Sequence, residues 1–300
     1  MIKIIVKILS IILLILIIVI SYLSFFGIKT TKFNSQIKSN ILKINKNINL
    51  NLGEVNYILN PYNFSVNVKT KNPQILLRGR KLEIKIIKTN VSLKSLINNQ
   101  FAIDELKITT KEIDLNDIIA SIRIFQNSPQ LFVLNTITEG GFATANINLK
   151  FDDKGKVQDN YQIKGSVKKA KLNILNQFKL QNLNFNFDIS NSNYLLKQID
   201  AKINNIKISS SLVEIEKKKD SLFVNGEFLS DKKKFDIQEL KLILSDLFNN
   251  IDIKKIEFSS INNFSFEINK RLKLNNFKAE TIINLDELIF NEKNFNLKSY

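Results

Sequence analysis

The chain has 300 residues, a formal net charge of +16, and neither cysteine nor histidine. Disulfides, Cys/His zinc sites, histidine bases and cysteine nucleophiles are therefore excluded, and no cofactor is expected. The positive charge is almost entirely lysine, scattered through alternating segments without the interleaved aromatic residues on which nucleic-acid bases stack. We therefore expect no nucleic-acid partner.

An uncharged apolar run covers residues 8–26. As a helix rising 1.5 Å per residue, it matches the roughly 30 Å hydrocarbon core of a bilayer. The run is longer than the roughly 7–15 apolar residues of a signal peptide and lacks a following cleavage pattern, which favours a retained anchor over a cleaved signal. Lys3 and Lys7 predict a cytoplasmic N-terminus, whereas Lys29 and Lys32 on the other flank oppose that orientation.

A short helix is predicted to follow the anchor. Ser35 is a suitable N-cap, and Ile37, Ile41 and Ile44 recur at helical spacing, so residues 35–45 are expected to form an amphipathic helix on the membrane surface. From residue 50 the apolar residues alternate with polar ones, which predicts strands. Two Asn-Pro pairs, at residues 60–61 and 72–73, are expected to end the first of these strands.

Three helical segments interrupt the predicted strands. A helical turn is expected at residues 94–98, a helix capped by Asn116 at residues 116–127, and a weaker helix that begins at Ser128-Pro129 and ends near Ile137. Residues 139–141, Glu-Gly-Gly, are interpreted as a break between two sub-regions.

The second sub-region opens with a predicted hairpin whose turn is residues 152–155. The apolar parity then flips at Lys168-Lys169, which indicates a β-bulge. The sharpest strand covers residues 183–189, and Asn-Asn pairs at 262–263 and 275–276 are expected to be turns. Further strands are predicted at residues 224–228, 240–244, 256–258, 264–268 and 272–274.

Candidate chemistry is sparse. Asp152, Asp153 and Asp159 resemble a degenerate calcium loop, but they lack the alternating ligands and terminal glutamate of such a loop, so a solvated turn is favoured. Adjacent carboxylates elsewhere would point to opposite faces of a strand, which predicts no catalytic dyad and no metal site. The densest basic cluster is residues 78–81, RGRK, interpreted as a solvated turn with phosphate or headgroup contact as the alternative.

The order of these parts resembles a known family. After the basic head, the apolar helix and the amphipathic helix, residues 91–97 carry a VSL-x-x-LI turn, residues 103–108 an I-x-x-L-x-I strand, and residues 113–115 an I-x-L strand. This pattern is similar to the N-terminal region of the AsmA-like proteins of Gram-negative envelopes, relatives of TamB. The later segments at residues 165–175 and 179–189 resemble repeating strands of the same family.

The resemblance implies a mainly β fold, with a transmembrane helix followed by a long curved antiparallel sheet shaped as a half-open groove. It also implies a non-enzymatic, single-pass inner-membrane protein whose bulk lies in the periplasm, acting in outer-membrane biogenesis and phospholipid transport. Expected partners are membrane phospholipids, with outer-membrane or other envelope proteins. The expected groove lining is Ile147, Leu149, Phe151, Leu183, Phe185, Phe187, Ile189, Phe264, Phe266 and Ile268. The expected headgroup contacts are Lys29, Lys32, Arg78 and Arg80.

The predicted organisation has four parts: a head and anchor at 1–28, a juxtamembrane helix at 29–48, a first part of the groove at 49–140 with a helical insertion at about 116–137, and a continuing groove at 141–300. The pattern is unfinished at Tyr300, so we expect the chain to continue. Three alternatives stay open: a closed sandwich that hides the apolar face, an assembly factor that pairs its sheet edges with client strands, and an enzyme of unrecognised type.

Overall fold

The computed structural model describes residues 2–44, 46–98, 100–125, 128–174, 178–203, 206–236, 253–290 and 296–298. The protein is mainly β, with an N-terminal apolar helix and one large antiparallel sheet that is open rather than closed. The fold class predicted from the alternation and the resemblance is therefore confirmed.

Five helices occur in the described residues, and their bounds are α1 (Ile2–Phe25), α2 (Asn34–Ile44), α3 (Leu93–Ile97), α4 (Leu115–Phe125) and α5 (Pro129–Ile137). Helix α1 is long and apolar enough to span a membrane, and its side chains are largely exposed. Such a helix is either a membrane span or a signal sequence. The predicted start of α5 at Pro129 is confirmed, since proline is well suited to a first helical position.

Helix α1 continues almost directly into the sheet. Only Phe26 and Gly27 separate it from strand β1 (Ile28–Thr30), which pairs with β3 so that Ile28 lies opposite Tyr57. Gly27 has φ +69°, and a Cβ on it would overlap the carbonyl oxygen of Tyr57 and lie 2.8 Å from Cγ1 of Ile58. Glycine is therefore required at this junction.

The next strands are β2 (Ile48–Asn51), β3 (Val55–Asn60), β4 (Ser65–Lys71), β5 (Gln74–Leu77), β6 (Arg80–Ser92), β7 (Ile103–Thr110) and β8 (Ile113–Asp114). The two Asn-Pro pairs end β3 and precede β5, as predicted. Leu50, Leu52 and Val55 form a buried cluster, and Ile37 of α2 packs against it. The predicted helix is confirmed, and Ile37 on its apolar side contacts the strands of the sheet.

Both predicted helix caps in this region are wrong by one or two residues. Ser35 lies inside α2, which begins at Asn34, and the Asn34 side chain instead donates a hydrogen bond to the carbonyl of Gly53. Helix α4 begins at Leu115, and Oδ1 of Asp114 accepts a hydrogen bond from the backbone N–H of Asn116 at 2.8 Å. The cap is therefore Asp114, whose carboxylate is also favoured by the helix dipole.

The later strands are β9 (Thr138–Lys150), β10 (Gln162–Ile174), β11 (Phe178–Ile189), β12 (Asn193–Ile203), β13 (Ile206–Lys217), β14 (Ser221–Asp236), β15 (Ile253–Asn269), β16 (Leu274–Phe290) and β17 (Asn296–Lys298). Strand β9 passes through Gly140 and Gly141, where a break was expected. The hairpin turn at residues 152–155 is confirmed, with the Gly155 N–H donating to the Asp152 carbonyl at 2.9 Å.

The contacts divide the chain into two compact units. Unit 1 comprises Met1–Ser128, Phe142–Gly165 and Ile189–Asn191, and unit 2 comprises Pro129–Gly141, Ser166–Asp188 and Ser192–Tyr300.

Positive-φ residues and register shifts recur in the strands of unit 2. Lys169, Asn182 and Gln198 lie in β10, β11 and β12 with φ of 51°, 50° and 53°. The pairing of β13 with β14 shifts between Ser209 and Val213. In β10 the buried positions change from Val167 to Ala170 across Lys169, which is the change of parity predicted for a bulge at Lys168-Lys169.

Two predicted turns are wrong. Asn262-Asn263 lies in the middle of β15, and Asn275-Asn276 lies inside β16. Asn276 has φ +52° at a point where the β15–β16 register shifts, which makes it a bulge residue. The strands predicted at 256–258 and 264–268 are therefore one strand, and the strand predicted at residues 240–244 lies outside the described residues.

Candidate functional site

One face of unit 2 gathers apolar side chains from five strands. Ile199, Val213 and Val224 are buried at its centre. Seven partly buried side chains pack around them: Leu183, Phe185, Leu196, Ile215, Phe228, Phe264 and Phe266. We call these seven and the three buried residues together the phenylalanine face. The face is thus buried at its centre and open to solvent around it, as expected for an apolar surface on an open sheet.

Aromatic rings are stacked along this face. The Phe228 and Phe264 rings lie 5.0 Å apart between centroids with an interplanar angle of 8°, and Phe264 and Phe266 lie 5.9 Å apart. Gly226 makes room for this arrangement, because a Cβ there would lie 2.9 Å from both Cζ of Phe264 and Cγ2 of Val213. Aromatic pairs contribute roughly 0.5–1.5 kcal/mol beyond the area they bury.

The opposite face of strand β15 carries a charged residue. Glu267 lies between Phe266 and Ile268 and pairs with Lys218, whose Nζ donates a hydrogen bond to the carboxylate at 2.7 Å. This hydrogen bond raises the pKa of Lys218. On β15, Phe264, Phe266 and Ile268 therefore lie on one face and Ser265 and Glu267 on the other. The first face is suited to an apolar ligand and the second to water.

The structure brings together four of the predicted lining residues, Leu183, Phe185, Phe264 and Phe266. Phe187 lies beside Phe185, with ring centroids 6.4 Å apart. Ile268 continues β15 beyond Phe266, and Ile189 ends β11.

Ile189 belongs to unit 1, and so do the other three predicted lining residues. Ile147 and Leu149 belong to β9 and pair with Ile108 and Leu106 of β7. Phe151 follows β9, and its ring packs 5.5 Å from that of Phe101. These residues and the phenylalanine face therefore belong to different compact units.

Six members of the phenylalanine face are absent from the predicted lining: Leu196, Ile199, Val213, Ile215, Val224 and Phe228. The first four lie on β12 and β13, two strands that the sequence analysis did not predict. In β12 the inward-facing positions change from Leu196 to Ile199 across Gln198, whose φ is positive. The signal is two shorter alternating runs of opposite parity joined by polar residues.

The predicted basic contacts fall in two places. Lys29 is exposed in β1 and Lys32 follows it. Arg78 lies in the turn between β5 and β6, Arg80 begins β6, and both line a cavity of about 410 Å³. Arg123 of α4 lines the same cavity, and the sequence analysis missed it because 43 residues separate it from Arg80.

The carboxylate of Asp152 serves its own turn. Its Oδ1 accepts hydrogen bonds from the backbone N–H groups of Lys154 at 3.0 Å and Lys156 at 2.8 Å. These bonds, that from Lys156 most strongly, lower the pKa of Asp152. This arrangement is that of a hairpin turn, which the sequence analysis favoured over a calcium loop.

No family model, curated protein or solved structure matches this chain. The fold and the site define a mainly β protein with an N-terminal apolar helix and a two-faced open sheet. Its function is therefore inferred from these faces and from the pattern of its sequence.

Proposed function

We propose that this protein is a non-enzymatic lipid carrier, anchored in the inner membrane with its N-terminus in the cytoplasm and its sheet in the periplasm. In this proposal it holds phospholipid acyl chains on its sheet and serves outer-membrane biogenesis. The observation that carries the proposal is the phenylalanine face, an apolar surface that stays partly exposed on an open sheet. The resemblance to AsmA-like proteins supports the compartment and the pathway.

The physical basis is the transfer of acyl chains out of water. Each methylene group buried against Phe185, Phe264 or their neighbours contributes roughly 0.8 kcal/mol. The charged opposite face, with its Lys218–Glu267 pair, keeps the sheet soluble. Such a carrier needs a continuous apolar track and no catalytic residue.

Helix α1 supplies the anchor in this proposal. Lys29 and Lys32 follow it within a few residues and are exposed, so they would meet the headgroups of anionic lipids. Arg78 and Arg80 are the other headgroup contacts that we propose. Each lysine near such a surface contributes on the order of 1 kcal/mol of attraction.

A second candidate function is supported by strand β16. Within the described residues, β17 pairs only with Glu287, Leu288 and Ile289 of β16. The rest of this long strand carries exposed apolar side chains, Phe277 at 59% and Ile283 at 57%. An edge of this kind can accept a client strand, which is the assembly-factor alternative.

The test is photo-crosslinking in cells with the full chain. A photo-reactive residue is placed singly at Phe185 or Phe264, and at the exposed Asn186 or Asn263 as matched controls on the same strands. Lipid adducts at the phenylalanine positions, and their absence at the asparagines, are expected. Protein adducts at Phe277 and Ile283 with no lipid adducts at either phenylalanine would overturn the carrier function in favour of the assembly factor.

A matched pair of charge substitutions sharpens this experiment. Phe266→Glu places a carboxylate on the phenylalanine face, whereas Ser265→Glu places the same charge on the opposite face of β15. We expect the first to abolish lipid adducts at Phe185 and the second to leave them unchanged. An equal loss in both variants would show that the adducts depend on charge or folding and not on this face.

A further inference from the structure

We propose that unit 1 binds a phosphate group in the cavity between the β5–β6 turn and helix α4. The cavity measures about 410 Å³ and is lined by Arg78, Arg80, Ala120, Arg123 and Ile124. Arginines from two separate elements thus line one space. Three arginines around one cavity are suited to the tetrahedral oxygens of a phosphate.

The arginine usage of the whole chain supports this site. The sequence contains 40 lysines and only four arginines, and three of the four line this cavity. Apart from Arg271, the rest of the chain uses lysine for its positive side chains. Lysine offers a point charge, whereas arginine presents a planar fork of donors that binds phosphate oxygens in pairs. The concentration of arginine here indicates a requirement that lysine does not meet.

The backbone at Arg78 shows that its position is specified. Arg78 and Gly79 form the two-residue turn between Leu77 and Arg80, with φ of 47° and 82°. The first position of such a turn favours asparagine, aspartate or glycine, so arginine there costs stability. Non-glycine residues held in such a strained backbone conformation are concentrated at functional sites.

Asn47 holds Arg78 in place. Its carbonyl accepts a hydrogen bond from the Arg78 backbone N–H at 3.0 Å, and its Oδ1 accepts one from Nε at 3.2 Å. A guanidinium has five N–H donors, and this contact uses one of them. The side chain is therefore oriented in advance of a ligand, which lowers the entropic cost of binding.

Helix α4 supplies the other wall. Ile119 and Ser121 are buried, while Asp117, Ala120 and Arg123 follow one another at spacings of three residues along another side of the helix. Asp117 pairs with Arg80 at 3.1 Å. Three arginines and one aspartate leave a formal charge of +2, which matches a phosphate monoester near neutral pH.

This site deepens the headgroup part of the proposed function and rests on that function only for the source of the phosphate. A lipid headgroup and a free phosphate ester present the same chemistry to the cavity. The probes below separate the two sources.

The experiment measures binding to the full chain in a phosphate-free maltoside detergent, by calorimetry. The probes are glycerol 3-phosphate and short-chain dihexanoyl phosphatidic acid. Arg78→Gln, Arg80→Gln and Arg123→Gln are compared with Arg271→Gln, which makes the same charge change at the exposed fourth arginine in unit 2. Circular dichroism checks the folding of each variant.

We expect each of the three cavity variants to weaken binding of the phosphate probes at least tenfold and Arg271→Gln to leave it within twofold. Arg123→Lys should also weaken binding, because it loses the forked donors of the guanidinium although it retains the positive charge. Tighter binding of phosphatidic acid than of glycerol 3-phosphate would identify a lipid as the source, and equal binding a free ester.

Three results would overturn the site: no binding of either probe, an equal loss in all four glutamine variants, or full binding by Arg123→Lys. The crosslinking at Phe185 is independent of these measurements. Lipid adducts there without phosphate binding would remove this site and leave the carrier function standing. Phosphate binding without adducts would do the reverse.

Discussion

The Cα of Ala170 occupies the space that a side chain on Gly141 would need. A Cβ built on Gly141 would lie 2.5 Å from this atom and 3.0 Å from the Cβ of Ala170. Strand β9 therefore passes β10 at a distance that only glycine permits. Gly141 has φ +124°, which is a second reason for glycine.

We predict that Gly141→Ala destabilises the protein by about 2–5 kcal/mol, because backbone atoms have to move and the φ is strained. Gly140→Ala is the matched control, since its φ is also positive at +154° but nothing lies within 4 Å of the added Cβ. That variant should cost only about 1–2 kcal/mol. Urea unfolding of both measures the difference, and equal losses would contradict the close approach of β9 and β10.

The ring of Phe264 is predicted to contribute strongly to the stability of unit 2. Phe264→Ala removes a partly buried ring that stacks on Phe228 and Phe266, and we expect a loss of roughly 1–3 kcal/mol. Phe277→Ala removes a ring that is 59% exposed and should cost less than about 1 kcal/mol. Thermal unfolding compares the two variants. A larger loss from Phe277→Ala would mean that the apolar centre of unit 2 lies elsewhere.

Asp114, and not Asn116, should be the energetic cap of α4. Asp114→Ala removes the acceptor for the Asn116 N–H and is expected to cost about 1 kcal/mol. Asn116→Ala leaves that N–H and its acceptor in place, so its effect should stay within about 0.5 kcal/mol. Chemical unfolding followed by circular dichroism measures both, and the opposite ranking would restore Asn116 as the cap.

The turn held by Asp152 should loosen in acid. Its pKa in the folded protein lies below the ordinary value of 3.8, so the ionised carboxylate stabilises the folded turn. The stabilisation is fully present above the unfolded pKa and is lost as the pH falls through the folded pKa. Hydrogen-exchange protection of the Lys154 and Lys156 amides should therefore decrease in that range.

Asp152→Ala should lower this protection already at neutral pH and remove its acid dependence. Asp159→Ala, on the same loop, is the control and should keep both. Unchanged protection in Asp152→Ala would show that the carboxylate does not hold the turn.

Local signals in the sequence were sufficient where one residue type dictates the backbone. The prolines at 61 and 73 mark the ends of strands, and Pro129 marks the start of α5, because proline limits φ and lacks an N–H. Helix α1 was predicted from the length and apolar composition of one continuous run. These features depend on nearby residues alone.

Local sequence signals failed where polar side chains form hydrogen bonds with neighbouring strands. Asn262 has the composition of a turn, yet its Nδ2 donates to the Phe228 carbonyl at 3.2 Å and its Oδ1 accepts from Thr281 at 3.1 Å. Neighbouring strands thus satisfy its polar groups and keep it within β15. Arg123 joins Arg78 and Arg80 through the packing of α4, which no local pattern encodes.

The short junction at Gly27 decides how freely the sheet can move relative to helix α1. A flexible linker of n residues would let a domain range over about 5–6 Å × √n, but here β1 begins three residues after α1 ends and is already paired with β3. If α1 spans a bilayer, unit 1 is held at the membrane surface by a short, rigid connection and not by a flexible linker. In the proposed carrier function, a lipid leaving the bilayer would then meet the strands of unit 1 in the same orientation each time, so that its transfer would depend on alignment and not on diffusion of a tethered domain.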